Sequence, residues 1–206
     1  MCPIVKNDSL NTAIIQEEQN KTLNKSLPKH GICGGISISK EHVDYFLSLE
    51  NKISPIKGKV AKAGKEEKDS DYRDVNIYFI EDDEKKAYEV LKIIAIQINQ
   101  YFKYKLEGVE KIQIMHYTAP SNGYDWHIDL GPTETTGKRK IGISILLNED
   151  YEGGELVFRI GDKEKNTKPN TGDVVAFSSF IPHKVNAITK GNRHVLVAWL
   201  LGPRFR

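Results

Sequence analysis

The sequence predicts a mainly β domain of the sandwich or barrel type, with helices near its N-terminal end, and three observations lead to this fold class. The chain has 206 residues, of which 39% are hydrophobic and 28% charged, as is typical of one globular domain. From residue 109 onward, short β-type runs follow one another between turn signals such as 121–123 and 153–154. Two stretches before residue 109 carry apolar residues at helical spacing instead. We therefore expect an α+β fold that is mainly β.

The N-terminal part predicts an arm followed by a strand and a helix. Residues 1–30 are rich in Asn, Lys, Gln and Glu and have only short apolar patches, so we expect a polar arm ahead of a domain at 31–206. Residues 34–39 alternate as a strand does. Ser39 is then placed to cap a helix whose apolar residues recur at helical spacing.

A second helix follows a long polar segment. The stretch 57–73 contains several Lys and Gly residues and little that could be buried, which predicts a mobile loop. A strand at 75–80 comes next, and Asp82 or Asp83 can cap a long helix that backs a sheet. The β-rich core is expected at about 109–206.

Charge, cysteine content and hydropathy disfavour several classes of protein. Because 30 Lys and Arg oppose 28 Asp and Glu, the net charge of +2 lacks the basic excess of a nucleic-acid coat, and we expect no nucleic-acid partner. Cys2 and Cys33 cannot form a disulfide framework or a CxxC zinc site, which favours a reducing cytosol. The longest apolar run, 195–201, is too short to span a membrane, so we expect a cytoplasmic protein without membrane contact. The sequence predicts no oligomeric state.

Half of a metal site stands within the β-rich part. In the run Trp126-His127-Ile128-Asp129, strand alternation directs His127 and Asp129 to the same face. Iron(II) oxygenases hold their metal with two His and one carboxylate, so a second His must come from elsewhere in the sheet. The downstream candidates are His183 and His194.

The spacing favours His183. Pro182 fixes the chain at the start of a strand, and the turn signal at 190–192 predicts a hairpin whose second strand opens with Arg193. His183 and Arg193 would then lie side by side. His194 has the opposite parity to Arg193, and choosing it would leave only the C-terminal Arg204 and Arg206 as basic residues at hairpin distance downstream.

The β-rich part resembles the iron(II)- and 2-oxoglutarate-dependent dioxygenases, specifically the prolyl-4-hydroxylase-like (PKHD-type) hydroxylases. The resemblance runs through HYTAP at 116–120, GYDWHID at 123–129, YEGGEL at 151–156, IPH at 181–183 and RHVLVAW at 193–199. It covers the C-terminal half closely. It implies a double-stranded β-helix, or jelly roll, with helices packed on one sheet.

The resemblance also implies the cofactors and the residues that bind them. Iron(II) would be held by His127, Asp129 and His183, and 2-oxoglutarate would chelate the metal, with O₂ as the oxidant. Arg193 would pair with the far carboxylate of this co-substrate. A planar guanidinium suits that role because it can meet a buried carboxylate with two hydrogen bonds.

Two aromatic residues complete the expected co-substrate pocket. Tyr117 matches the family's tyrosine whose hydroxyl reaches 2-oxoglutarate, and Trp199 shares the strand parity of Arg193. Each could instead be an ordinary core aromatic. Many members carry Thr or Ser where this chain has Gly142, so one hydrogen bond to the co-substrate is absent or comes from Ser144.

The activity implied by the resemblance is hydroxylation of an unactivated C–H bond with release of succinate and CO₂, with ascorbate keeping the iron reduced. The implied substrate is a prolyl or other residue of a peptide or protein, with a free small molecule as an alternative. The segment 57–73 would cover the iron pocket as a lid, with Tyr72 and Arg73 contacting the substrate at its edge. Trp126 packs either beside the iron, as a substrate contact, or simply in the sheet.

Three other functions fit less well. A halogenase of this superfamily needs a small residue in place of the carboxylate ligand, but Asp129 is present. A nucleic-acid demethylase would carry a second Arg where Trp199 stands. A jelly-roll module that binds a metal or ligand without turnover belongs to another class, and it would form no succinate from 2-oxoglutarate.

Overall fold

The computed structural model describes residues 31–58, 60–62, 65–67 and 74–205. The predicted arm at 1–30 and the residues Tyr72 and Arg73 lie outside the described residues. Their predicted roles are therefore not tested by the structure.

The described residues form two helices, a short 3-10 helix and a series of strands. The helices are α1 (Lys40–Glu50) and α2 (Lys85–Phe102), and the 3-10 helix is Thr136–Lys138. The strands are β1 (Ile32–Ser37), β2 (Ile56–Lys57), β3 (Val60–Lys62), β4 (Lys65–Glu67), β5 (Asn76–Phe79), β6 (Gly108–Val109), β7 (Gln113–Thr118), β8 (Tyr124–His127), β9 (Arg139–Leu146), β10 (Tyr151–Gly153), β11 (Leu156–Ile160), β12 (Lys163–Asn166), β13 (Asp173–Ser178), β14 (His183–Val185) and β15 (Ile188–Leu201).

The predicted cap of the first helix is confirmed and that of the second is wrong. Ser39 Oγ accepts a hydrogen bond from the backbone N–H of His42 at 3.3 Å. At α2 the N-cap is Glu84, and its side chain makes no capping hydrogen bond. The carboxylate of Glu84 accepts instead from the hydroxyl of Tyr45 at 2.6 Å. Asp82 accepts from the hydroxyl of Tyr88 at 3.0 Å, so tyrosine hydroxyls occupy the carboxylates of both Glu84 and Asp82.

Two antiparallel sheets face each other across an apolar interior, which confirms the predicted mainly β jelly roll. The larger sheet has the order β1-β13-β9-β15-β7-β5-β2, with β6 and β10 also paired to β15. The smaller sheet has the order β12-β11-β14-β8. Buried side chains from both sheets, including Phe158, Phe177 and Trp199, meet between them. Both helices pack on the other face of the larger sheet, through Phe46 of α1 and Ile98 of α2.

Strand β15 corrects the predicted hairpin. The chain runs without a turn from Ile188 to Leu201, because residues 190–192 are paired with β10 on one side and β7 on the other. Gly191 has a positive φ of 76°, and a Cβ there would lie 2.2 Å from the carbonyl oxygen of Asp150. The glycine therefore permits a close strand contact. As a result, His183 and Arg193 lie on different sheets and are not cross-strand neighbours.

The segment predicted as a loop contains short strands. Strand β2 pairs with β5, and β3 pairs with β4 in a separate two-stranded ribbon. Whether 57–73 acts as a lid stays a prediction. Among the described residues, no helix has the length and apolar character that crossing a membrane requires.

Candidate metal and co-substrate site

The three residues predicted to bind iron meet at one end of the interior, between the two sheets. His127 ends β8 and His183 begins β14, where the two residues are paired across the strands. Asp129 Oδ1 lies 3.8 Å from His127 Nε2, and Asp129 Oδ2 lies 3.7 Å from His183 Nε2. Asp129 and His183 are buried. The ligand atoms of all three side chains lie within 4.8 Å of one another.

Backbone carbonyls orient both imidazoles of this triad. His127 Nδ1 lies 2.7 Å from the carbonyl oxygen of Asp125, and His183 Nδ1 lies 2.9 Å from that of Ile181. Because a carbonyl oxygen only accepts, each Nδ1 must donate its proton, and each neutral ring keeps a lone pair on Nε2. This is how metal-binding histidines are usually held. Two such lone pairs and one carboxylate are the donor set that suits iron(II).

The position of Asp129 depends on a backbone hydrogen bond and on the free space beside its carboxylate. Its N–H donates to the carbonyl oxygen of Ser179 at 2.9 Å. A Cβ at position 142 would lie 2.9 Å from Asp129 Oδ2 and 2.7 Å from the ring of Phe177. Gly142 thus leaves room for the carboxylate. Ser144, the residue predicted to replace a missing hydroxyl, lines the cavity.

A cavity of about 280 Å³ adjoins the triad and contains the predicted co-substrate residues. Arg193, Tyr117 and Trp199 all line it and are all buried. Arg193 and Tyr117 are cross-strand partners on β15 and β7, and the guanidinium carbon lies 5.6 Å from the centroid of the Tyr117 ring. Strand parity therefore brings Tyr117 and Trp199 to the face that carries Arg193.

Several polar atoms of this cavity lack protein partners. Among the described residues, no hydrogen-bond partner reaches Nε or Nη1 of Arg193, Nε1 of Trp199 or Oε1 of Gln113. Buried polar groups are normally satisfied, and a buried guanidinium calls for an anion. The residues present thus fit a small anionic ligand bound next to a metal.

Two cavity residues were not found by the sequence analysis. Gln113 shares the strand parity of Tyr117, so strand alternation was the signal that could have identified it. Arg139 pairs with Glu110 through Nε at 2.6 Å, donates to the carbonyl oxygen of Asp129 at 3.3 Å, and stacks on Trp199 at 3.8 Å. No local pattern marked Arg139, because its partners lie far away in the sequence.

Trp126 lies away from the cavity. It does not line the cavity, and its ring lies 4.1 Å from the guanidinium of Arg159 and 4.9 Å from the ammonium of Lys184. The Trp126 ring thus packs against side chains of neighbouring strands in the smaller sheet, and its role as a substrate contact stays a prediction.

A second group of two histidines and a carboxylate occupies the opposite face of the larger sheet. We call Glu50, His116 and His194 the outer cluster; its ligand atoms also lie within 4.8 Å of one another. Burial raises the pKa of Glu50, but hydrogen bonds from the two imidazoles outweigh it and lower this pKa to about 2. The hydrogen bond to Glu50 raises the pKa of His116, although burial opposes this. His194 was the alternative iron ligand considered from the sequence. It lies on the face of β15 opposite to the cavity.

The family comparison matches the part of the chain that forms most of the cavity. Residues 112–201 match the model of the 2OG-Fe(II) oxygenase superfamily. A PKHD-type hydroxylase of Colwellia psychrerythraea is 39% identical over 91 residues, covering 42% of this chain and 41% of the relative. One from a Picosynechococcus species is 35% identical over 111 residues, covering 52% and 49%. The chain therefore spans less than half the length of these curated relatives.

Solved structures share the fold at low sequence identity. A prolyl-4-hydroxylase of Pseudomonas putida has a TM-score of 0.67 and 19% identity, covering 85% of this chain and 94% of that one. A Trichoplax adhaerens prolyl hydroxylase, in complex with a hypoxia inducible factor oxygen degradation domain peptide fragment, has a TM-score of 0.71 and 21% identity, covering 94% of each chain. These structures support the jelly-roll fold.

Proposed function

We propose that the protein is an iron(II)- and 2-oxoglutarate-dependent dioxygenase of the 2OG-Fe(II) oxygenase superfamily, whose model matches residues 112–201, and that it hydroxylates a prolyl or other residue of a peptide or protein. In the balanced reaction, one atom of O₂ enters a C–H bond of the substrate as a hydroxyl group. The other oxygen atom enters 2-oxoglutarate, which loses CO₂ and becomes succinate. Ascorbate as a reductant for the iron and a reducing cytosol as the location are parts of the same proposal.

One observation carries this proposal. A His-His-Asp set with both Nε2 lone pairs turned inward lies beside a cavity in which two nitrogens of buried Arg193 have no partner among the described residues. The triad alone could bind a metal in a protein without activity. The adjacent cavity with a cation adds a place for an anionic co-substrate, which a simple metal site does not need.

The chain's own residues would divide the work in the cavity. His127, Asp129 and His183 would hold the iron, which when bound supplies the chemistry of O₂ activation. Arg193 would form a bidentate pair with the far carboxylate of 2-oxoglutarate, and the Tyr117 hydroxyl would donate to the same group. Trp199 would donate a hydrogen bond from Nε1 to the ligand bound in the cavity. Apolar walls such as Phe177 and Val195 would exclude water from the reacting groups.

Described residues on either side of the proposed lid support its role. Ile56 and Lys57 of β2 and Ile77 of β5 line the cavity, so both flanks of the segment 57–73 adjoin it. We include Tyr72 and Arg73 as substrate contacts in this proposal. If a short Gly-Ser linker replaces residues 59–73, iron and 2-oxoglutarate binding should persist while coupled hydroxylation falls and uncoupled succinate release continues. Full coupled turnover in this variant would contradict the lid.

A turnover assay tests the activity itself. Purified protein is incubated in air with iron(II), 2-oxoglutarate, ascorbate and a library of prolyl peptides, each paired with a control peptide that has Ala in place of Pro. We expect succinate and a peptide with one added oxygen atom, both requiring iron and 2-oxoglutarate. With isotopically labelled O₂, one labelled atom should enter each product.

The result also separates the alternatives. Hydroxylation of a metabolite but of no peptide would identify a small-molecule enzyme. Absence of succinate with every substrate, while iron and 2-oxoglutarate still bind, would identify a binding module without turnover and overturn the proposal.

A further inference from the structure

The outer cluster joins the end of a helix to two adjacent strands. Glu50 is the last residue of α1, His116 lies on β7, and His194 lies on β15 directly opposite His116 in the strand register. On the cavity side of these strands, the next residues are Tyr117 and Arg193. The cluster therefore lies behind the two strands that carry the proposed co-substrate residues.

The geometry brings three metal-binding atoms together. His116 Nδ1 lies 2.7 Å from Glu50 Oε1, and His194 Nδ1 lies 2.7 Å from Glu50 Oε2. The imidazole centroids are 4.1 Å apart. Zinc–ligand bonds of about 2.0–2.2 Å place the ligands of a tetrahedral site roughly 3.3 Å from one another. Outward shifts of a few tenths of an ångström from the carboxylate would therefore admit an ion.

The surroundings of His116 orient its ring as in a metal site. Its Nε2 lies 3.0 Å from the amide oxygen Oδ1 of Asn192 and 3.2 Å from Oγ1 of Thr118. The amide oxygen only accepts, so Nε2 carries the proton. In the metal-free protein, a second proton on Nδ1 donates to Glu50 Oε1. A metal ion would take the place of this proton between Nδ1 and the carboxylate.

The strand backbone supports the second histidine. The N–H of His194 donates to Oδ1 of Asn148 at 2.8 Å, and Nδ2 of Asn148 donates to the carbonyl oxygen of Asn192 at 2.7 Å. Asn148 thus connects His194 with Asn192, whose side chain contacts His116. The side chains of His116, His194 and Glu50 are 19%, 18% and 11% exposed, so an ion can enter and a water can complete its coordination.

We propose that Glu50, His116 and His194 form a second metal site, separate from the cavity, that binds a zinc-type divalent cation and fastens the end of α1 to β7 and β15. Two imidazoles and a carboxylate are the ligands that such an ion favours. The site does not depend on the dioxygenase activity, since it uses no residue of the cavity.

Zinc stoichiometry tests the proposal. The full chain is freed of metal with a chelator, dialysed against buffered zinc, and analysed for bound metal. Wild-type protein should bind two equivalents, one of them in the cavity. The variant His127→Ala/His183→Ala should bind one equivalent, and adding His194→Ala should remove it. Adding His42→Ala instead, at a half-buried histidine that belongs to neither group, is the matched control and should leave one equivalent in place.

A variant that keeps all three ligands controls for misfolding of the His194→Ala variant. Asn192→Ala leaves all three ligands intact but removes the partner of His116 Nε2, so zinc affinity in the His127→Ala/His183→Ala background should fall by about tenfold or more. Absence of bound zinc from the His127→Ala/His183→Ala variant would overturn the proposal. So would a second equivalent that persists without His194, or an affinity that Asn192→Ala leaves unchanged.

Discussion

The two groups of two histidines and a carboxylate have similar ligands and different surroundings. In the cavity, the Nδ1 atoms of His127 and His183 are bound to backbone carbonyls, and the Nε2 atoms face Asp129 at 3.7 and 3.8 Å. In the outer cluster, the Nδ1 atoms themselves face the carboxylate at 2.7 Å. The cavity group has open space and polar atoms without partners among the described residues beside it, whereas the outer cluster lies at the partly exposed end of a helix against the sheet. The ligand set alone therefore does not distinguish the two groups; the neighbouring cavity is the observation that favours His127, Asp129 and His183 as the proposed catalytic set.

Replacing one histidine of each group with alanine should give the largest difference in activity between two variants. We expect His183→Ala to abolish succinate formation and to weaken iron binding in the cavity, because it removes one of three ligands. His194→Ala lies on the other face of the sheet and should keep most of the turnover. Succinate formation and iron content measured side by side check this, and the opposite result would assign the iron to the outer cluster.

Neighbouring residues of β15 offer the next test, because they face opposite sides of the sheet. Arg193→Ala should raise the KM for 2-oxoglutarate strongly, since it leaves a buried carboxylate without its partner, a loss of about 3–5 kcal/mol. Arg193→Lys should restore part of the affinity, because an ammonium offers one charge without the planar fork. The control is Asn192→Ala, because the side chain of Asn192 contacts His116 of the outer cluster; this variant should change the KM little. An unchanged KM in Arg193→Ala would remove Arg193 from the co-substrate site.

Local periodicity explains what the sequence could predict. Alternation along one strand placed Arg193 and Trp199 on a common face, and the same rule joined His127 with Asp129. The hairpin at 190–192 was wrong because Lys190 and Gly191 pair with β10 and Asn192 pairs with β7, and both strands lie far away in the sequence. A glycine that permits a close strand contact cannot be told from a turn glycine by its neighbours.

The outer cluster shows the same limit more clearly. His116 reads as a packed or solvated histidine in the sequence, and Glu50 reads as one of many acidic residues. Only the packing of α1 on the sheet brings Glu50 to both histidines. Such contacts depend on the tertiary fold, and no pattern within one element encodes them.

The space beside Asp129 gives a smaller but specific effect. Gly142→Ala would bring a Cβ to 2.9 Å from Asp129 Oδ2 and 2.7 Å from Phe177, so one of these side chains must move. We expect weaker iron binding and a loss of stability of about 1–3 kcal/mol, as overpacking usually gives. Gly34→Ala, which meets nothing within 4 Å, is the matched control. Iron affinity and thermal unfolding measure both effects, and equal behaviour of the two variants would show that the carboxylate does not need this space.

The effect expected over the narrowest range of conditions is the pH dependence of stability that Glu50 gives to the metal-free protein. Its pKa is lowered to about 2 in the folded state, below the ordinary value of 4.5, because the hydrogen bonds from His116 and His194 outweigh burial. A group whose pKa falls on folding stabilises the folded state above its unfolded pKa and loses this contribution as the pH falls towards the folded value. Wild-type protein should therefore exceed Glu50→Gln in stability by at most about 3 kcal/mol near neutral pH, since one pKa unit corresponds to about 1.4 kcal/mol. Denaturant unfolding with a chelator present should show this difference shrinking between pH 4.5 and about 2. A difference that stays constant across this range would mean that the carboxylate is not held by the two imidazoles.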